Sequence, residues 1–199
     1  MATERTTRMG ERTGPLGLFD RIRFNEILRQ GIGLLLVAAC ADFANLDTGT
    51  VSIGLAIAMA GQVFRIYAAG FIHKNRLLAT NGPYALVRHP LYLGNFLIML
   101  GFNLAAANLY VTLGVMIFWL IWYPAAIAYE DAKLERIFED HWRDWSKNIR
   151  AIIPGRFRWQ DLKADGWDTY QSLIRNGELP ISLYLGSCGI WLWVVSHPT

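Results

Sequence analysis

Apolar positions along this chain run in blocks of near-bilayer length separated by short polar joints, and nowhere alternate over a long stretch as a half-buried strand would. Four such blocks, at 27–45, 51–72, 91–107 and 109–129, approach the roughly 20 residues that a helical membrane span needs. A fifth, at 180–195, has 16 residues, and hydropathy alone leaves it open as a short span, a re-entrant piece or an interfacial helix. Past residue 129 the pattern changes. Leu134, Ile137, Phe138, His141, Trp142, Trp145 and Ile149 recur at helical spacing while charged residues fill the opposite face, which predicts an amphipathic helix with tryptophans suited to the headgroup boundary. The expected fold is therefore all-α: a polytopic membrane helix bundle with four spans, a fifth apolar segment of open role and an amphipathic helix. Residues 1–26 form an N-terminal segment and 27–199 a single membrane domain.

Composition agrees with that reading. Hydrophobic residues make up 53% of the 199, mean hydropathy is +0.24, and the charges are collected into blocks. Of 19 Lys and Arg, six lie before or at the start of the first block, three between the second and third, and nine after the fourth. The loops around Asp47 and Asn108 carry none. The positive-inside rule then puts the N-terminus, the loop holding Arg88 and the region after residue 130 in the cytoplasm. Basic flanks against anionic headgroups account for the net charge of +3 and a pI near 9, so no nucleic-acid partner is called for. Cys40 and Cys188 both lie in apolar blocks, so neither a disulfide framework nor a metal site is expected. The N-terminal thirty residues read as too polar for a cleaved signal peptide.

Two motifs carry the chemistry. Gly82-Pro83-Tyr84 leads into Arg88-His89-Pro90-Leu91-Tyr92-Leu93-Gly94, and Glu130-Asp131 closes the fourth block. Pro90 disfavours helix at His89 and suits a first helical turn, so a helix should start there, its free N–H groups joining Arg88 and His89 in an anion site. Glu130 and Asp131 offer carboxylates to a diol, an ammonium or a sulfonium. Both motifs end on one side of the membrane. Each also has a plain structural reading, as inside-facing charge, cap or solvated boundary residue. Arg65, with Gln62 a turn away, lies in the inner half of the second block and is either functional or snorkels to the interface.

The pattern G-P-Y-x-x-x-R-H-P-x-Y-x-G, the acidic pair at the end of the next span, and the run Leu134, Phe138, Trp142, Trp145, Ile153-Pro154 together resemble the integral-membrane methyltransferases. That group includes isoprenylcysteine carboxyl methyltransferase and phosphatidylethanolamine N-methyltransferase. The resemblance covers residues 82–154. It implies S-adenosylmethionine bound at the cytoplasmic ends of the third and fourth spans, with a membrane lipid or lipid-like acceptor entering from the bilayer. Carried over, His89 contacts the methionine carboxylate end, Tyr92 and Gly94 shape the cofactor wall, and Glu130 holds the ribose or amino group. Asp131 is the second carboxylate, and Tyr84 and Arg88 support the site. Arg88, His89 and Glu130 are the catalytic candidates. His73 and Tyr92 join His89 and Glu130 as candidate bases for an amine acceptor, whereas a carboxylate acceptor needs none.

This chain departs from the group in two places: Glu130-Asp131 stands where Glu-Glu is usual, and Glu139 where glycine is common. The isoprenylcysteine branch also tends to carry a basic residue just before the acidic pair, and 124–129 is uncharged here. That weakens a carboxylate acceptor and leaves phospholipid amines open. Pro124 is expected to bend the fourth span and open a lateral entrance rimmed by Trp122 and Tyr123, with Ala125 and Ala126 on its wall. Two other readings remain. Membrane sterol reductases share a related R-H-P-x-Y-x-G region and use NADPH, but add downstream segments where this chain has its acidic pair. A non-enzymatic membrane scaffold would bind neither cofactor.

Overall fold

The computed structural model describes residues 25–44, 47–73, 76–155 and 165–197. The N-terminal segment assigned to the cytoplasm lies almost wholly outside the described residues, as do Lys74 and the basic positions between 156 and 164. Among the described residues the secondary structure is helical throughout: α1 (Glu26–Asp42), α2 (Thr48–Ala69), α3 (Pro90–Ala106), α4 (Leu109–Ser146) and α5 (Glu178–Ser196), with a 3₁₀ turn at Gly82–Ala85 and a π turn at Gln171–Arg175.

Short polar side chains in the joints start three of these helices. Asn25 accepts from the Leu28 N–H, Asp47 from Thr50, and Asn108 from Tyr110 and Val111, each supplying an acceptor for N–H groups that lack one inside the helix. α3 starts at Pro90, as its ring geometry dictates. Among the described residues, three helices are long and apolar enough to cross a bilayer: α2, α4 and α5. The fifth apolar block is thus one of them, a helix of 19 residues. α1 and α3 have 17 residues each, about 26 Å at 1.5 Å per residue, slightly under the hydrocarbon thickness of about 30 Å. α4, at 38 residues, outruns that thickness and carries its polar half beyond it. Large apolar side chains such as Ile27, Leu35, Met59, Leu120 and Ile190 are exposed on the outside of the bundle, as a lipid-facing surface requires.

The tightest joint is α2 against α3. A Cβ on Gly54 would stand 2.5 Å from the Gly101 carbonyl, and one on Gly61 would stand 2.9 Å from the Gly94 carbonyl. With Ala58 and Ala105 between, this small-residue seam lets two backbones approach in a setting where lipid provides no hydrophobic drive for helix association. Beyond it, the 168–176 segment folds over the end of α2: Ser172 donates to the Ile66 carbonyl, Asn176 to Ala69, and Gln171 to Ile72. These bonds satisfy carbonyls that the last helical turn leaves without partners.

α4 keeps helical geometry through Pro124, and its one non-helical residue is Glu139, at φ 45° and ψ −120°. The bend expected at Pro124 therefore falls fifteen residues later, where a side chain occupies a backbone region that favours glycine.

Candidate active site

Where α3 begins, the R-H-P turn is fastened on both sides. Nε2 of His89 lies 2.7 Å from Oδ1 of Asp131, and an Arg88 Nη donates to Oδ2 of the same carboxylate at 2.9 Å. The second Nη of Arg88 donates to the Ser146 and Ile149 carbonyls, and the Arg88 and His89 N–H groups donate to the carbonyls of Arg150 and Ala151. This loop is thus pinned to α4 and to the segment that follows it. Burial alone would push the Asp131 carboxyl up, but the hydrogen bond and charge of His89 and the Arg88 guanidinium outweigh it and hold the group below the usual carboxylate value.

That arrangement corrects the expected anion site. The Arg88 and His89 N–H groups are bonded to protein carbonyls, and both side chains meet Asp131, so the element holds the site together instead of presenting an open cation. Asp131 itself serves as the carboxylate of this lock and does not line the adjoining cavity. Gly94 is also reassigned. Its Cα faces α2, where a Cβ would run into the Arg65 side chain and stand 3.0 Å from the Gly61 carbonyl, so its smallness serves the helix seam and not a cofactor wall.

The cavity has a volume of about 660 Å³ and is walled by all five helices and the loop before α3. That is within the range of roughly 300–1,000 Å³ typical of small-molecule sites. Tyr84, Arg88, His89, Tyr92 and Glu130 line it, as does His73. Glu130 and Asp131 part company because successive helical residues point about 100° apart, so one acid enters the cavity while the other turns to the R-H-P loop. The Tyr92 hydroxyl donates to Oε2 of Glu130 over a long 3.5 Å. Aromatic rings continue the wall: Tyr92 meets Tyr123 edge-on at 5.5 Å, and Tyr123 stacks on Trp119 at 3.5 Å. Tyr84 is buried in the loop, which pushes its phenol pKa up and keeps it protonated.

Of the entrance residues, only Tyr123 is on the cavity wall. Ala125 and Ala126 are buried in helix packing, Pro124 is exposed on the outside, and Trp122 packs on the core. Besides Tyr123, α4 reaches the cavity at Phe118 and, beyond the membrane block, at Glu130, Lys133, Leu134 and Phe138.

Sequence reasoning missed the partner of Arg65. The Arg65 guanidinium sits 2.6 Å from Oε1 of Glu178 and donates from Nε to Oε2 at 3.2 Å, with Gln62 bonding to the same carboxylate and Asn95 accepting from the other end of the guanidinium. Arg65 is therefore internally paired and does not snorkel. A cation inside a span needs a counter-charge, and the acid just ahead of the fifth apolar block was the signal that went unread.

Fold and site together define a polytopic helical membrane protein with an ionisable, aromatic-walled cavity at one end of the bundle. Residues 43–141 match the phospholipid methyltransferase family, and over that stretch the chain is similar to it, as its motifs are. Three curated relatives align with the chain. The cobalt-zinc-cadmium resistance protein CzcN of Cupriavidus metallidurans is 34% identical over 51% of this chain and 46% of its own. The protein-S-isoprenylcysteine O-methyltransferase of Schizosaccharomyces pombe is 34% identical over 50% and 42%. The nickel-cobalt-cadmium resistance protein NccN of Alcaligenes xylosoxydans xylosoxydans is 27% identical over 64% and 63%. The chain thus spans about half the length of the curated relatives it matches. No solved structure matches it.

Proposed function

We propose that the protein transfers a methyl group from S-adenosylmethionine to a lipid or lipid-like acceptor, with the cavity open to the cytoplasmic face. The observation that carries this reading is Glu130: a carboxylate on the wall of a cavity of cofactor size, inside the family-matched stretch and beside the R-H-P loop. The residues fit the group. Glu130 accepts hydrogen bonds from a diol or ammonium, and the faces of Tyr92 and Tyr123 favour a neighbouring cation. The cofactor supplies an activated methyl on a cationic sulfur. The protein's own work is alignment and exclusion of water. The Arg88–Asp131–His89 lock fixes the start of α3 against α4, so Tyr92 and Glu130 keep their spacing. For an amine acceptor, Glu130 or His73 on the wall takes the proton; a carboxylate acceptor of the isoprenylcysteine type requires no base.

Calorimetric titration with S-adenosylhomocysteine tests the reading, with NADPH as the parallel arm. Wild-type protein should bind the first and not the second. Glu130→Gln removes a charge-assisted acceptor and should weaken that binding by about 1.5–3 kcal/mol, or roughly 10- to 150-fold. Absence of wild-type binding, or binding of NADPH in its place, would overturn the assignment.

A further inference from the structure

Arg29 lies in the first turns of α1, and its neighbours Ile27 and Leu28 are exposed on the outside of the bundle while Arg29 is 8% exposed. Its side chain lines the cavity, with the guanidinium carbon 5.5 Å from the centre of the Tyr92 ring. Among the described residues, no carboxylate or carbonyl is hydrogen-bonded or ion-paired to that side chain. The neighbouring cations are already engaged, Arg88 and His89 on Asp131 and Arg65 on Glu178, while Lys133 stands half-buried on α4. Two acids face the same space: Glu26, one turn back on α1 and bonded to Gln30, and Glu130 on the far side of Tyr92.

A guanidinium withdrawn from water without a counter-charge is unfavourable, and its planar fork of five donors matches a carboxylate or phosphate. We propose that Arg29 is the anion receptor of this cavity, taking the carboxylate or phosphate of a bound acceptor while Glu130, across Tyr92, takes the hydroxyl-bearing or cationic part of the cofactor. The proposal rests on the methyltransferase reading of the same cavity. It places a cation from α1 where the uncharged 124–129 stretch of α4 has none. Arg29 lies ahead of the family-matched residues 43–141 and Glu130 within them, in keeping with an acceptor anion on the first and the cofactor on the second.

The test uses the full chain in lipid nanodiscs, as wild type, Arg29→Gln and Arg29→Lys. Two matched pairs of probes, S-farnesylcysteine with its carboxamide and dodecyl phosphate with dodecanol, are compared for binding alongside S-adenosylhomocysteine. Wild-type protein should prefer the charged member of at least one pair by about tenfold or more, as a charge-assisted bond implies. Arg29→Gln should abolish the preference and Arg29→Lys should keep part of it, both with unchanged S-adenosylhomocysteine affinity. A comparable loss of S-adenosylhomocysteine affinity in Arg29→Gln, with methylthioadenosine, which lacks the carboxylate, bound equally by both proteins, would keep the receptor role but assign the anion to the cofactor. Identical preferences and affinities in wild type and Arg29→Gln overturn the proposal. Should Arg29→Gln not fold, a wild-type preference below about twofold for both pairs, worth under roughly 0.4 kcal/mol, overturns it equally. Wild-type protein that binds no S-adenosylhomocysteine rejects the methyltransferase reading itself, an outcome separate from any effect of Arg29.

Discussion

Replacing Glu178 by alanine leaves the Arg65 guanidinium inside the bundle with no carboxylate to answer it. The two side chains are 11% and 1% exposed, so the small values measured for surface pairs do not apply. Unit charges about 4 Å apart at an effective dielectric near 20 attract by about 4 kcal/mol. Removal of one partner from a buried pair typically costs about 3–5 kcal/mol, because the desolvated survivor is left unmatched. Gln62 loses its acceptor as well, although Ser182 still accepts from it at 2.8 Å. For a chain of this length, 1 kcal/mol corresponds to about 2–4 °C in Tm, so Glu178→Ala should lower the melting temperature in detergent by roughly 6–20 °C. The double variant Arg65→Met with Glu178→Leu removes both charges and should recover most of that loss. Thermal unfolding followed by tryptophan fluorescence reads both. A drop under about 2 °C for Glu178→Ala, or a double variant no better than the single one, would refute the argument that this pair is dry and mutually compensating.

Gly54→Ala should destabilise the bundle by about 2 kcal/mol or more, since its Cβ would meet the Gly101 carbonyl at 2.5 Å, whereas Gly31→Ala has nothing within 4 Å and should gain about 0.5–1 kcal/mol; paired melting curves compare them. Glu139→Gly should raise stability by about 1 kcal/mol, because glycine adopts φ 45° without the strain a side chain incurs there; an unchanged or lowered Tm counts against a left-handed break at that residue. Asp131 has its pKa lowered in the folded protein. Its contribution is therefore complete above the ordinary value of 3.8 and is lost as pH falls from there toward the folded value, so Asp131→Asn should flatten the stability profile below that pH.

Much of this protein was legible along the chain because the bilayer imposes one-dimensional rules. Block length gave helices, and Pro90 marked the start of α3. The two motifs converge in space, since Tyr92, His89 and Glu130 all line one cavity. What each motif residue does there was not readable in the same way. Adjacent letters such as Glu130 and Asp131 look equivalent in a string, yet the helical twist sends one to the cavity and the other to the R-H-P loop.

The same limit explains Gly94, which reads as part of a ligand motif and proves to be packing against α2, and Pro124, which reads as a bend but sits in unbroken helix. Glu178 and Arg65 are separated by 113 residues, and Arg29 and Tyr92 by 63; no local pattern links either pair. Hydropathy, caps and proline geometry act over a few residues, so the sequence by itself determined which segments are helical and where most of them begin. Pairing of charges, close approach of backbones and the walls of a cavity depend on which faces of distant helices meet. Only the tertiary structure decided those, and with them which ionisable groups are locked together and which are left facing the cavity.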